Sequence, residues 1–255
     1  MSLPLSTATN LAEDANPPEE WEQGLVREFL EFLTAGAPGF FVEVGANHPT
    51  RGSQTWHLER RGWRGVLVEP LPDNADRLRN ARTATVFAVA CSSPENAGQM
   101  LPFYAADALS GLDRPRMAPW AKPEVINVPV RTLDSLLEEA GAPRPLDFLS
   151  VDVEGHEIEV LSGFDFVRWA PRFILLEDHV ANLSRHRFLK SHGYQLVRRT
   201  AVNGWYVPAS APIRFGLGED LRLLRKYYLG LPVRVMRRRL RRMLFAPGNQ
   251  PHAPD

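Results

Sequence analysis

The chain predicts an α/β fold: a sheet built largely from parallel strands, covered by helices on both faces and finished by an antiparallel hairpin. From residue 39 onward short apolar runs alternate with helical stretches, the pattern of parallel strands joined by crossover helices. Runs such as FLSV and FILL are apolar on both alternating faces, as strands covered on both sides are. Near the end, YQLVRRT and GWYVP flank Asn203-Gly204, a short turn joining two strands.

Taken in order, residues 1–18 are polar, close on Pro17-Pro18 and read as a flexible lead. Trp21, Leu25, Phe29, Phe32 and Leu33 recur at helical spacing before Gly36, which predicts an amphipathic helix over 19–35. Strands are expected over 39–45, 65–70, 84–90, 146–153 and 171–178, with helices over 53–61, 72–81, 132–140, 156–162 and 182–192. The stretch 99–131 holds five prolines and no clear helix, and reads as an insertion over a site. The hairpin occupies 194–208, so the main domain is assigned to 19–208. A basic helical tail over 209–245 and a disordered end over 246–255 follow.

A chain of 255 residues, 44% hydrophobic, can bury one sizeable core. Thirty basic against thirty acidic residues exclude an overall field that would steer the molecule to a polyanion. The balance hides an asymmetry: between Ile213 and Phe245 stand ten basic and two acidic residues, a local +8 against −8 for the remainder. A single cysteine, Cys91, can form no internal disulfide and no multi-thiolate metal site, which fits a reducing compartment. The first twenty residues lack a basic start followed by an apolar stretch, and no run of about 18 apolar residues occurs. A cytoplasmic location is therefore expected.

Three strand ends carry chemistry. In VEVGAN, Glu43 lies near the end of the first strand, and Gly45, Ala46 and Asn47 form a small-residue turn that lets backbone approach a ligand. Glu69 ends the second strand 24 residues after Gly45, near the offset of about 20 at which an acid reaches ribose hydroxyls. A glycine-lined pyrophosphate site would need Gly at 47 and 50, where Asn47 and Thr50 stand, so a dinucleotide is disfavoured. S-adenosylmethionine carries ribose and adenine without phosphate and tolerates the shorter turn; Glu43 could face its cationic methionine portion. Asp152-Val153-Glu154-Gly155-His156-Glu157 and Glu177-Asp178-His179 close two further strands, at the edge where open α/β sheets bind ligands. His57, His186 and His192 read as solvated helix positions, and Trp56, Leu58 and Trp63 as packing against the sheet.

VEVGAN, SQTWHLERRGWRGVLVEP, FLSVDVEGHEIEVLSGFD and ILLEDH, in this order and spacing, resemble the FkbM-type family of S-adenosylmethionine-dependent methyltransferases over about residues 40–180. The resemblance implies a class I methyltransferase (Rossmann-like) fold, a mostly parallel seven-stranded sheet with a C-terminal antiparallel hairpin. It also implies methylation of hydroxyls on sugars, glycolipids and natural products. On it, Glu43, Gly45, Ala46 and Asn47 line the cofactor turn, Glu69 holds the ribose, and Asp152 and Glu154 face the reaction centre. One departure is His48-Pro49, where many members have Asp-Gly or Asp-Pro.

An acceptor hydroxyl must lose its proton to a base or to a metal-assisted route. Asp152, His156 and His179 are the candidate catalytic residues, the imidazoles because they titrate near neutrality. Alternatively Asp152, Glu154, Glu177 and Asp178 could hold a hard cation such as Mg²⁺. The leading expectation is an O-methyltransferase acting on a carbohydrate, glycolipid or natural-product acceptor. The alternatives are a non-catalytic nucleoside-binding scaffold of the same fold and, third, an NAD-dependent oxidoreductase. After Pro232, Val233, Met236, Leu240 and Met243-Leu244 mark one helical face and arginines crowd the rest. Residues 232–245 could then lie on an anionic membrane or dock on the protein's own acidic body. Nucleic acid is disfavoured for want of a binding module, and homo-oligomerisation stays open.

Overall fold

The computed structural model describes residues 20–105, 110–112, 124–180 and 182–244. The expected lead 1–18, the end 246–255 and the middle of the 99–131 stretch lie outside them. The chain divides into two compact units at Glu177/Asp178.

The first unit opens with α1 (Trp21–Leu33), started by a reciprocal cap between Glu20 and Gln23. Its buried face, Val26, Phe29 and Leu30, meets the strands, with Phe29 edge-on to Phe173 at 5.0 Å between ring centres. There follow β1 (Phe40–Val44), α2 (Trp56–Glu59), β2 (Arg64–Val68), α3 (Pro72–Ala81) and β3 (Thr85–Phe87). After β4 (Ala90–Cys91), β5 (Met100–Ala105) and β6 (Glu124–Arg131) come α4 (Leu133–Glu139), β7 (Phe148–Val151), α5 (Glu157–Ser162), α6 (Phe166–Trp169) and β8 (Phe173–Glu177). Five strands lie parallel in the order β3-β2-β1-β7-β8. Every residue of β1, β7 and β8 is buried, which is why FFVEV, FLSV and FILLE are apolar almost throughout.

This parallel order puts the ends of β2, β1, β7 and β8 side by side at one edge. Val44 pairs with Val68 on one side and Val151 on the other, so Gly45, Glu69 and Asp152 leave the sheet together.

Two local expectations change. The predicted strand 84–90 is two strands, β3 and β4, and β4 belongs to a separate three-stranded sheet, β4-β6-β5. The ends of the 99–131 stretch are the antiparallel pair of that sheet, β5 and β6, folded over Ala90, Phe103, Val128 and Val130. The helix expected over 53–61 shrinks to the four residues of α2, because Ser53, Gln54 and Thr55 are taken up in contacts with Glu43.

The second unit contains α7 (Ser184–Ser191), the antiparallel hairpin β9 (Tyr194–Thr200) and β10 (Asn203–Pro208), α8 (Leu217–Leu224), a π-helical turn Arg225–Leu229 and α9 (Gly230–Leu244). Its core groups Val180, Leu223 and Tyr227, with Leu183 and Leu196 against them. The helical tail expected over 209–245 is helix from Leu217 to Leu244, and it runs unbroken through Pro232, where the cationic face was expected to begin. A proline clashes with the carbonyl four residues back, here that of Tyr228, and the wider π-turn at that place relieves it. Five parallel strands followed by an antiparallel pair are the seven strands of the Rossmann-like class I methyltransferase fold. Among the described residues no helix is long and apolar enough to cross a membrane.

Candidate active site

The turn after β1 is built around a position that only glycine can fill. Gly45 has φ +86°, and a Cβ there would stand 1.8 Å from the Asp152 carbonyl oxygen. The Gly45 and Ala46 amides both donate to the Val68 carbonyl, at 3.0 and 3.1 Å, and the Asp152 amide donates to Val44 at 3.0 Å. Asn47, at φ +47°, donates its amide to Glu69 Oε2 at 2.8 Å, while Leu71 donates to Glu69 Oε1 at 2.9 Å. Burial raises the Glu69 carboxyl above its ordinary pKa, opposed by these hydrogen bonds. Gly45, Ala46, Asn47 and Glu69 are thus one assembly. The Ala46 and Asn47 amides already have acceptors in Val68 and Glu69. His48 stabilises the next turn: its Nδ1 accepts the amides of Thr50 and Arg51 at 3.1 and 3.0 Å, as an Asp side chain would in an Asx-turn.

Glu43 was expected to face the cofactor's cation, but its carboxylate organises the following loop. Oε1 accepts the Gln54 amide at 2.7 Å, and Oε2 accepts the hydroxyls of Ser53 and Thr55 at 2.9 and 2.5 Å. Burial raises its pKa, and Arg82 with these donors pulls the other way. Arg82 was missed in the sequence. Its side chain is wholly buried, pairs with Glu59 at 2.7 Å and donates to the Pro49 carbonyl, Ser53 and Thr55 at 2.9, 3.2 and 2.9 Å. The guanidinium lies over the rings of Phe41 and Trp56. The one signal for such a partner was Glu43 itself, a charge inside an apolar strand that must be compensated.

Beyond β7 and β8 the acids gather. Asp152 is exposed, and the surrounding chain desolvates its carboxyl only in part. That desolvation and the like charges of Glu154, Glu157 and Glu43 push its pKa up to about 7. Glu177, buried at the end of β8, shares a hydrogen bond with Asp152. Burial and the negative charges of Asp152, Glu154 and Glu157 push it up to about 9. Two neighbouring carboxyls that repel as anions are stabilised by sharing one proton, and burial with the neighbouring acids raises the pKa of both. Glu154, at φ +55°, brings a carboxylate oxygen within 4.8 Å of one on Glu177. Glu157 is buried, and its Oε1 accepts the Gly155 amide at 2.8 Å.

The profile of the methyltransferase FkbM domain matches residues 43–196, more than half of the chain. The chain belongs to the FkbM methyltransferase family. The matched span runs from Glu43 and contains every candidate residue above. No curated protein matches the chain. Among solved structures, monomeric WbdD is similar at 12% identity and a TM-score of 0.44, over 78% of this chain and 44% of that one. The co-crystal structure of WbdD with the kinase inhibitor LY294002 gives 12% and 0.45, over 78% and 43%. The hMettl16 catalytic domain in complex with MAT2A 3'UTR hairpin 6 gives 10% and 0.32, over 78% and 74%. The chain spans less than half the length of the WbdD chains.

In this family member the histidines divide. His156 stands just before α5, with Nε2 at 2.9 Å from Ser92 Oγ and Nδ1 at 3.8 Å from a Glu159 carboxylate oxygen. Ser92 in turn accepts the Asn96 amide group at 2.9 Å. Neither Ser92 nor Asn96 stood out in the sequence, since nothing local ties them to a residue about sixty positions away. His179 is exposed in the second unit, where Asp178 is buried and its Oδ1 accepts the Val180 amide at 2.7 Å. His57 and His186, expected in solvent, are buried. His186 packs among the rings of Tyr206, Tyr227 and Tyr228 and bonds the Tyr228 hydroxyl at 3.1 Å. His192 is exposed as expected, whereas Leu58 and Trp63 are buried in the core.

Proposed function

We propose that this chain is an S-adenosylmethionine-dependent methyltransferase that methylates a hydroxyl of a carbohydrate, glycoconjugate or natural product. One observation carries the reading: the hydrogen-bonded carboxyls of Asp152 and Glu177 stand at the edge where β1 delivers its glycine turn, and burial and mutual repulsion raise the pKa of both, that of Asp152 to about 7. A general base works best when its pKa lies near the operating pH.

The residues present fit the cofactor. The turn after β1 offers main chain and the small side chain of Ala46 beside Glu69, a buried carboxylate at the adjoining strand end suited to a ribose diol. Gly45, Asn47 and Glu69 would hold the nucleoside, and S-adenosylmethionine, when bound, supplies an electrophilic methyl group. Asp152 takes the acceptor hydroxyl's proton as that oxygen becomes nucleophilic. Glu177, donating to Asp152, orients the base and limits its charge. Glu43 and Arg82 fix the loop behind the turn. The acceptor class follows the family, whose members largely methylate hydroxyls. A divalent cation held by Glu154 and Glu177, two of the four acids expected for it, is the second route to the same proton loss, favoured by the close approach of their carboxylates.

Calorimetric titration with S-adenosylhomocysteine tests the cofactor reading: folded protein that does not bind overturns it, and Glu69→Ala binding as tightly as the parent overturns the ribose assignment. With a panel of sugar acceptors, Asp152→Asn should lower turnover by roughly 10²–10⁴-fold while leaving S-adenosylhomocysteine affinity within a few-fold. Activity that survives exhaustive chelation removes the cation route.

A further inference from the structure

The second unit displays an apolar stripe that the methyltransferase reading does not use. On α8, Leu217, Leu221 and Leu224 are exposed, and beyond the π-turn so are Leu229, Val233 and Met236. Their spacings are four, three, five, four and three residues. Fours and threes keep positions on one side of an α-helix. The step of five crosses the π-turn Arg225–Leu229, where hydrogen bonds run from i to i+5. The turn therefore takes up the extra residue and keeps the two halves of the stripe in line. The helix core contact is a different face, made by Leu223 and Tyr227. In the sequence the spacing continues through Leu240 and Met243.

Charge accompanies the stripe. Arg222 precedes the π-turn, Arg225 and Lys226 lie in it, Arg234 and Arg237 follow it, and Arg238, Arg239, Arg241 and Arg242 come after; against Glu219 and Asp220 these nine give the helix a net +7. The unbroken helix from Leu217 to Leu244 is about 42 Å long at 1.5 Å per residue. A second copy on this stripe would set two +7 segments together. A nucleic acid would satisfy the arginines and leave exposed leucines without a counterpart. An anionic bilayer surface answers both features at once, taking apolar side chains at the acyl boundary and cations among the headgroups.

We propose that the helix formed by α8, the π-turn and α9 docks this protein on anionic lipid bilayers through the Leu217–Met236 stripe and the arginines beside it. The inference is independent of the reaction assigned to the first unit. The full-length chain is mixed with vesicles of phosphatidylcholine containing one third phosphatidylglycerol, or of phosphatidylcholine alone, and sedimented at low and high salt. It should sediment with the anionic vesicles only, less as salt rises, because surface potentials are screened within about 10 Å at 0.1 M. Leu221→Ser with Leu224→Ser, and separately Arg237→Glu with Arg241→Glu, should each lower the partition coefficient at least about tenfold. Circular dichroism, melting temperature and S-adenosylhomocysteine affinity should stay unchanged, since Leu221, Leu224 and Arg237 are exposed. Failure to sediment with anionic vesicles at low salt overturns the proposal, as does equal binding to neutral ones. A concentration-dependent dimer abolished by the leucine pair, without vesicle binding, assigns the stripe to a second copy and also overturns it.

Discussion

Replacing Glu177 by glutamine tests the shared proton through stability, without any need for the acceptor. Glu177 is buried and its pKa is raised from 4.5 to about 9. A carboxyl raised in the native state holds its proton more tightly folded than unfolded. Its contribution is complete below the unfolded value and is lost as pH climbs, because the unfolded chain ionises first. Between about pH 5 and pH 8, three pH units at 1.36 kcal/mol each give about 4 kcal/mol for an isolated group. Solvent reaching the exposed partner Asp152 screens the pair and brings this to about 2 kcal/mol. Glutamine cannot titrate, and its amide still donates to Asp152. Glu177→Gln should therefore gain about 2 kcal/mol on the parent over that interval, or ~4–8 °C in Tm for a chain of this size. Differential scanning calorimetry at several pH values reads it. A gap between parent and variant that stays constant, or moves the other way, refutes the protonated Glu177.

Three further predictions follow from the same geometry. Gly45→Ala should abolish S-adenosylhomocysteine binding or folding itself, given a Cβ 1.8 Å from the Asp152 carbonyl oxygen; Gly52→Ala, with nothing within 4 Å, should cost only about 1 kcal/mol for its positive φ. Arg82→Met leaves Glu59 and Glu43 buried without their cation and should destabilise by about 3–5 kcal/mol in denaturant titration, with no melting change as the contrary result. Ser92→Ala and His156→Ala should each cost about 1–3 kcal/mol, and together clearly less than their sum; strict additivity would mean the 2.9 Å contact carries nothing.

What was legible in the sequence is what local pattern controls. The helix expected over 72–81 is α3 to the residue, because Pro72 suits a first helical turn and the apolar positions repeat at 3.6. The hairpin was equally plain, since its turn and both strands are contiguous. The pair β5 and β6 was read only as an insertion. Of the eight residues of β6 just Val128 and Val130 are buried, and Pro102 and Pro129 sit inside the strands, which removes the usual signals of a covered sheet. The strand-end acids were found because chain order alone brings them to one edge. The omission of Arg82 and of the loop contacts of Glu43 has one cause: residues 39 positions apart come together only in three dimensions, and sequence spacing gives no hint of it. His57 and His186 were misplaced in solvent because polar neighbours along a helix do not reveal which side faces inward.

The contact at Gly45 has a mechanical side. With the Asp152 carbonyl standing where a side chain would begin, and the Asp152 amide tied to Val44, the two strand ends touch backbone to backbone with no compressible atoms between them. A molecule wedged against the β1 turn therefore displaces the first residue of the acid loop by a like amount. The positive φ angles at Glu154 and Gly155, two residues farther on, set the bend about which that loop would pivot. The ends of β1 and β7 are in this way coupled as one rigid piece, through main chain rather than through side-chain rotamers.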